Sequence, residues 1–124
     1  IYSHSDYLSF IGSGNECIGS PVYFFFELGT AQLTDKSQLV NLDELARVTK
    51  KYGLSVTVAG AADAATGTAD INNKLSASRA DYIVMELRRR GVTVESITKV
   101  SQGGISNYVP TEANRHTKVM LYMK

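Results

Sequence analysis

The chain has 124 residues, with 13 basic and 12 acidic side chains, a net charge of +1, 44% hydrophobic residues and one cysteine. That length supports a single domain with a core that needs no disulfide staple, and a lone cysteine forbids an internal one. The near-neutral balance argues against a sequence-independent nucleic-acid binder, which draws its affinity from a basic surplus. No apolar run approaches the roughly 18–20 residues that span a bilayer, and no charged-then-apolar pattern marks a signal peptide. A start at Ile1 instead of Met fits a piece of a longer chain whose targeting segment lies upstream.

Residues 1–20 (IYSHSDYLSFIGSGNECIGS) are rich in Ser and Gly, follow no period and read as a leader or linker with at most one short strand. Cys17 has no helix N-terminus or cation nearby to lower its thiol pKa and reads as incidental. Pro21 opens the folded unit, residues 21–124. Val22-Tyr23-Phe24-Phe25-Phe26 is a β-prone run buried on at least one face. Its aromatics are expected in the core, because a nucleic-acid stacking platform also needs surrounding positive charge.

A helix follows, capped by Thr34 or Asp35, with Gln38 placed to close a capping box. Leu39, Leu42, Leu45, Ala46, Val48 and Tyr52 give it one apolar face, and Gly53 stops it. Leu54, Val56 and Val58 alternate with polar residues, which predicts a strand over 54–60. The next helix is expected over 72–90, ending at Gly91, with Leu75, Ala80, Ile83, Val84 and Leu87 inward. Arg79 falls on the margin of that face. Its guanidinium either finds a partner or snorkels to water over the core edge. Arg88-Arg89-Arg90 reads as a solvated helix terminus, where cations meet the negative end of the dipole.

A third strand is predicted over 96–101, followed by a Gly103-Gly104 turn and an irregular segment to about residue 113. In the last strand Thr117, Val119, Leu121 and Met123 alternate with Lys118, Met120, Tyr122 and Lys124, predicting one basic and one mixed face. The order β-α-β-α-β-β describes an α/β two-layer sandwich with its helices on one face of a mixed sheet.

Catalytic signals are absent from the sequence. The two histidines, His4 and His116, lie near opposite ends, and no spacing supplies three or four metal ligands. No nucleophile elbow, phosphate loop or dinucleotide fingerprint occurs. The expectation is a protein that is not an enzyme and needs no metal or cofactor. The loop over 60–72 is more informative. Gly60, Ala61, Ala62, Ala64, Ala65 and Gly67 are small enough for close ligand approach and present N–H donors. Asp63, Thr66, Thr68, Asp70 and Asn72 add side-chain oxygens. One reading is a turn with Asp70 or Asn72 as helix cap. The other is a ligand site in which Asp63 takes an ammonium and Arg79, sixteen residues on, takes a carboxylate.

Four segments carry a family resemblance. VYFFFELGTAQLT resembles an opening strand with an F-x-x-x-x-x-x-L tail, and VTVAGAAD a strand ending in G-[YH]-[TA]-D. GTADINNKLSASRA resembles G-x-x-x-x-N-x-x-L-S-x-x-R-A, and NRHTKVML an N-R-R-V strand. Together they resemble the OmpA-like peptidoglycan-binding domain of outer-membrane proteins, peptidoglycan-associated lipoproteins and flagellar-motor stators, over about 100 residues from Val22 to Met123.

The resemblance implies non-catalytic binding of peptidoglycan through the meso-diaminopimelate of its stem peptide. Asp63 would take the ammonium and Arg79 the carboxylate, while Asn72 and Leu75 shape the loop and seat the helix. Backbone N–H groups around Thr66, Gly67 and Thr68 would assist, with Arg115 at the rim. It also implies a periplasmic, outer-membrane-associated domain that meets a membrane only through an upstream barrel or lipid anchor. No nucleic-acid partner is implied, and homo-oligomers are compatible with it. The chain departs from the family pattern at Ala61 and Ala62, at His116 in place of the second Arg, and in an Asp63-to-Gly67 gap one residue longer than the common form. Those departures suit a rival expectation, an interaction or oligomerisation module that has weakened or lost wall binding.

Overall fold

The computed structural model describes residues 17–124, so the leader expectation for residues 1–16 lies outside the described residues. The elements are β1 (Val22–Phe25), α1 (Leu39–Tyr52), β2 (Ser55–Asp63), α2 (Ala69–Arg89), β3 (Ile97–Ile105) and β4 (His116–Tyr122). The sheet order is β1-β4-β2-β3. β4 runs antiparallel to both β1 and β2, while α2 carries the chain over to a parallel β2–β3 pair. The expected element order and mixed sheet are therefore present.

Period-2 alternation decides which side chains meet the helices. Phe24, Val58 and Val119 point from the sheet into a core completed by Leu42, Ile83 and Leu87, all at most 1% exposed. Each such side chain contributes roughly 1.5–3 kcal/mol through burial. Gly53 ends α1 as expected, with φ 62° and its N–H on the Thr49 carbonyl.

Four local expectations give way. Asp35 caps only a 3₁₀ turn over Lys36–Gln38, accepting from the Ser37 N–H at 2.9 Å, and Gln38 closes no capping box. Its Oε1 instead accepts from the Phe25 N–H at 2.7 Å, and its Nε2 donates to the Phe25 carbonyl at 3.2 Å. The side-chain amide thus acts as a surrogate strand along β1. α2 starts at Ala69, because the extended Thr68 supplies the cap, its Oγ1 accepting from Ile71 N–H at 3.2 Å. Asp70 lies in the first turn and Asn72 is buried inside the helix.

Gly103 and Gly104 form no turn and belong to β3. The β2–β3 register shifts between Gly60 and Ala62, which pair with Ser101 and Gly104. Gly103 absorbs that bulge at φ 71°, and its N–H donates to Ser76 Oγ at 3.0 Å. β4 is not half-basic either. Paired on both edges, it buries His116, Met120 and Tyr122 on the face away from the helices as well. Met120 and Tyr122 cluster there with Ala59 and Val100, and Cys17 packs against them. Burial pushes the Cys17 thiol pKa up, which keeps it protonated.

The helix layer approaches the sheet most closely at Gly60. A Cβ there would collide with the Ser76 carbonyl oxygen and lie 2.8 Å from Ala80 N. Gly60→Ala is therefore expected to destabilise the domain by about 1–3 kcal/mol, seen as a lower urea midpoint at unchanged slope. An unchanged midpoint would contradict this contact.

Candidate functional site

The site lies where β2 ends. Asp63 is the last residue of β2 and is only 3% exposed. Its Oδ1 accepts from Thr66 Oγ1 at 2.7 Å and its Oδ2 from Arg115 Nε at 2.7 Å. Burial pushes the carboxyl pKa up, but the hydrogen bonds from Arg115 and Thr66 outweigh it and hold the group below the usual carboxylate range. Asp63 is thus a desolvated anion at neutral pH.

Arg79 is fully buried, at 0% exposure. It stands in the inward stripe of α2 with Ser76, Ala80, Ile83 and Leu87, not on the margin, and its head reaches no water. Its Nε donates to the Thr30 carbonyl at 2.8 Å, Nη1 to Ala61 at 2.9 Å and Nη2 to Glu27 at 3.1 Å. The guanidinium also lies over the Phe26 ring, 5.6 Å from its centroid. Burial lowers its pKa to about 10, the Asp63 charge opposing and the Arg115 charge adding to the shift. It stays protonated at neutral pH. One helix side chain therefore ties together β2, α2 and the loop that follows β1.

The loop after Asp63 is held from within. Asn72 Nδ2 donates to the Thr66 carbonyl at 3.0 Å, and Asn72 N–H to the Thr68 carbonyl at 2.9 Å. Gly67 turns the chain at φ 71°, where a Cβ would sit 3.1 Å from Asn72 Oδ1. Thr66, Gly67 and Thr68 are exposed, and Leu75 is half-buried on the flank of α2. The structure thus gathers Asp63, Thr66, Gly67, Thr68, Asn72 and Arg79 around one strand end.

Arg115 is half-buried at the edge of the cluster. Its side chain is 16% exposed and ion-paired with Asp63. Its main chain is also pinned, its carbonyl accepting from the Phe26 N–H at 2.8 Å. Beside it runs an open groove of about 370 Å³, lined by Phe25, Phe26, Glu27, Leu28, Glu112 and Arg115 among others. Sequence reasoning missed the Glu27 and Thr30 carbonyls and this groove. Carbonyls carry no residue signature, and residues 27 and 112 meet only through the fold. His116 faces elsewhere. Its ring stands edge-on to Tyr23 and Tyr108 at 5.0 and 5.3 Å, and Nδ1–H donates to the Ala113 carbonyl at 2.6 Å. Burial pushes its pKa down, leaving a neutral ring.

A mixed four-stranded sheet in the order β1-β4-β2-β3 with two helices on one face is the fold of OmpA-like domains. Residues 25–118 match the OmpA family, and the chain belongs to it. It is 35% identical over 74 residues to Outer membrane protein 40 of Porphyromonas gingivalis, a match covering 60% of this chain and 19% of the relative. The chain thus corresponds to about a fifth of that protein. The fold is similar to the peptidoglycan-associated lipoprotein of Burkholderia pseudomallei, at TM-score 0.70 and 19% identity, covering 82% of this chain and 89% of that one. The C-terminal domain of Helicobacter pylori MotB is equally similar, at TM-score 0.70 and 19% identity, with 83% and 85% covered. The OmpA-like domain of FopA1 from Francisella tularensis aligns at TM-score 0.68 and 18% identity, with 88% and 78% covered. Among the described residues no helix is long and apolar enough to cross a membrane.

Arg79→Met keeps most of the side-chain volume but removes three charged hydrogen bonds, to the Thr30, Ala61 and Glu27 carbonyls, of which Glu27 alone keeps other donors, from Thr30, and it leaves Asp63 with one cation fewer. It is expected to cost about 3–5 kcal/mol, measured by urea unfolding. A Met variant as stable as wild type would contradict the bridging role.

Proposed function

We propose that this domain binds peptidoglycan non-covalently through the meso-diaminopimelate of the stem peptide, tethering an outer-membrane protein or lipoprotein to the cell wall from the periplasmic side. The observation that carries this reading is the ionised Asp63 beside the Arg79 guanidinium, at a strand end roofed by a small-residue loop. Diaminopimelate presents an ammonium and a carboxylate on one carbon, so an acid and a guanidinium side by side match both charges. Asp63 serves the ammonium. Arg79, fully buried with three N–H donors spent on carbonyls, serves the carboxylate as a fixed positive charge behind the strand end. Asn72 holds the loop so that the N–H groups of residues 66–68 frame the ligand. Membership of the OmpA family and the fold shared with a peptidoglycan-associated lipoprotein support the reading. Binding rather than turnover suits a site whose charged groups are already fixed in mutual contact.

A second reading has one observation in its favour. Asp63 already holds Arg115, as it would in a domain kept for protein interaction or oligomerisation after wall binding had weakened.

Calorimetric titration separates the two. Saturable binding of a diaminopimelate stem peptide is expected, lost in Asp63→Asn. A lysine-type stem, lacking the second carboxylate, should bind roughly 5–150-fold more weakly, the equivalent of about 1–3 kcal/mol for an unpaired polar group. No heat from folded protein would leave the interaction module.

A further inference from the structure

We propose that Arg115 is an internal competitor for Asp63. Its guanidinium occupies the place of the ligand's ammonium and swings into the Glu27–Glu112 groove when the ligand binds. The inference rests on the wall-binding reading and adds a residue that controls its affinity.

Both Asp63 oxygens are engaged, Oδ1 by Thr66 and Oδ2 by Arg115, and the residue is 3% exposed. A ligand ammonium that approaches Oδ2 therefore competes with Arg115 for a carboxylate that is almost wholly buried. The two neighbouring arginines differ in what holds them. Arg79 is fully buried with three carbonyl bonds, so releasing it would break all three at once. Arg115 has one ion pair among the described residues, through Nε alone, and retains some exposure. Its main chain is fixed on both sides, the N–H on the Glu112 carbonyl and the carbonyl on the Phe26 N–H. Movement is therefore confined to the side chain.

The destination adjoins it. Arg115 already lines the groove together with Glu27 and Glu112, whose carboxylates form no ion pair among the described residues. A guanidinium leaving Asp63 would exchange one carboxylate for two in a more open place, so release does not strand a charge. The exchange also keeps Asp63 paired throughout, which avoids an uncompensated buried anion. A ligand that must displace an internal cation binds more weakly than the site alone would allow, in proportion to the open fraction.

The test titrates the diaminopimelate stem peptide into wild type, Arg115→Ala, Arg115→Gln and Arg115→Lys, with thermal melts reporting folding. The Ala variant is expected to bind on the order of tenfold tighter than wild type, as removal of a competing state predicts. The Gln variant covers the case in which Ala does not fold and should also bind tighter. The Lys variant, which keeps the competing charge, should stay near wild type. The pair Glu27→Gln/Glu112→Gln should weaken binding in wild type and have no effect in the Arg115→Ala background, a coupling that isolates the groove. If wild type binds and folded Ala and Gln variants bind equally or more weakly, Arg115 is a ligand contact or a bystander and the inference fails, leaving wall binding intact. If wild type and all the variants are silent, the wall-binding reading itself fails and this inference with it.

Discussion

A guanidinium in the core is the constraint from which the rest of this domain follows. Desolvating a cation costs several kcal/mol unless hydrogen bonds and an opposite charge replace the lost water. Arg79 is offered three main-chain carbonyls and the nearby charge of Asp63. Bonds from a charged donor are shorter and stronger than neutral ones. The three carbonyls belong to β2 and to the loop after β1, while Arg79 itself belongs to α2. One side chain therefore fixes the spacing of segments far apart in sequence. Asp63 is then required where it stands, and it draws Arg115 in from the start of β4.

The alternation of charge through Arg79, Asp63 and Arg115 gives this end of the sheet two kinds of cation. One is immobilised and shields its own bonds from water. The other is held at a single nitrogen beside an open groove. A zwitterionic ligand could use the first as a fixed anchor and must compete with the second. In the proposed reading the same cluster serves stability and recognition, and both depend on Asn72 and Gly67 keeping the loop folded over Asp63. On the other side of β4, the neutral His116 and its tyrosines brace the turn that delivers Arg115.

The element order and most of the core were legible because hydrophobic period is a strong local signal. Val56 and Val58 in β2, Leu42 and Ala46 in α1, and Gly53 at its end all sit as their pattern predicts. Small residues and oxygen-bearing side chains drew attention to Asp63 and Arg79, but the ion-pair partner of Asp63, Arg115, lies 52 residues away and had no local signal. What stayed hidden had no local signature. A helical wheel drawn from apolar residues puts Arg79 at the edge, since it cannot know that carbonyls from residues 27, 30 and 61 converge on that position. Gly103 and Gly104 read as a turn because a bulge in a paired strand uses the same residues as a chain reversal. Gln38 read as a box-closing residue because its long-range partner, the backbone of Phe25, lies thirteen positions away. Thr68 was overlooked as a cap beside Asp70 and Asn72, all three being good cap formers.

The most direct test of a fixed and a released arginine around Asp63 is a ¹⁵N spectrum of the arginine Nε–Hε groups, with and without saturating diaminopimelate stem peptide. The account predicts that the Arg79 and Arg115 signals are both protected in the free protein. On saturation the Arg79 signal should persist while the Arg115 signal moves and exchanges rapidly with water. Retention of a protected Arg115 signal in the bound state would contradict it, as would loss of the Arg79 signal.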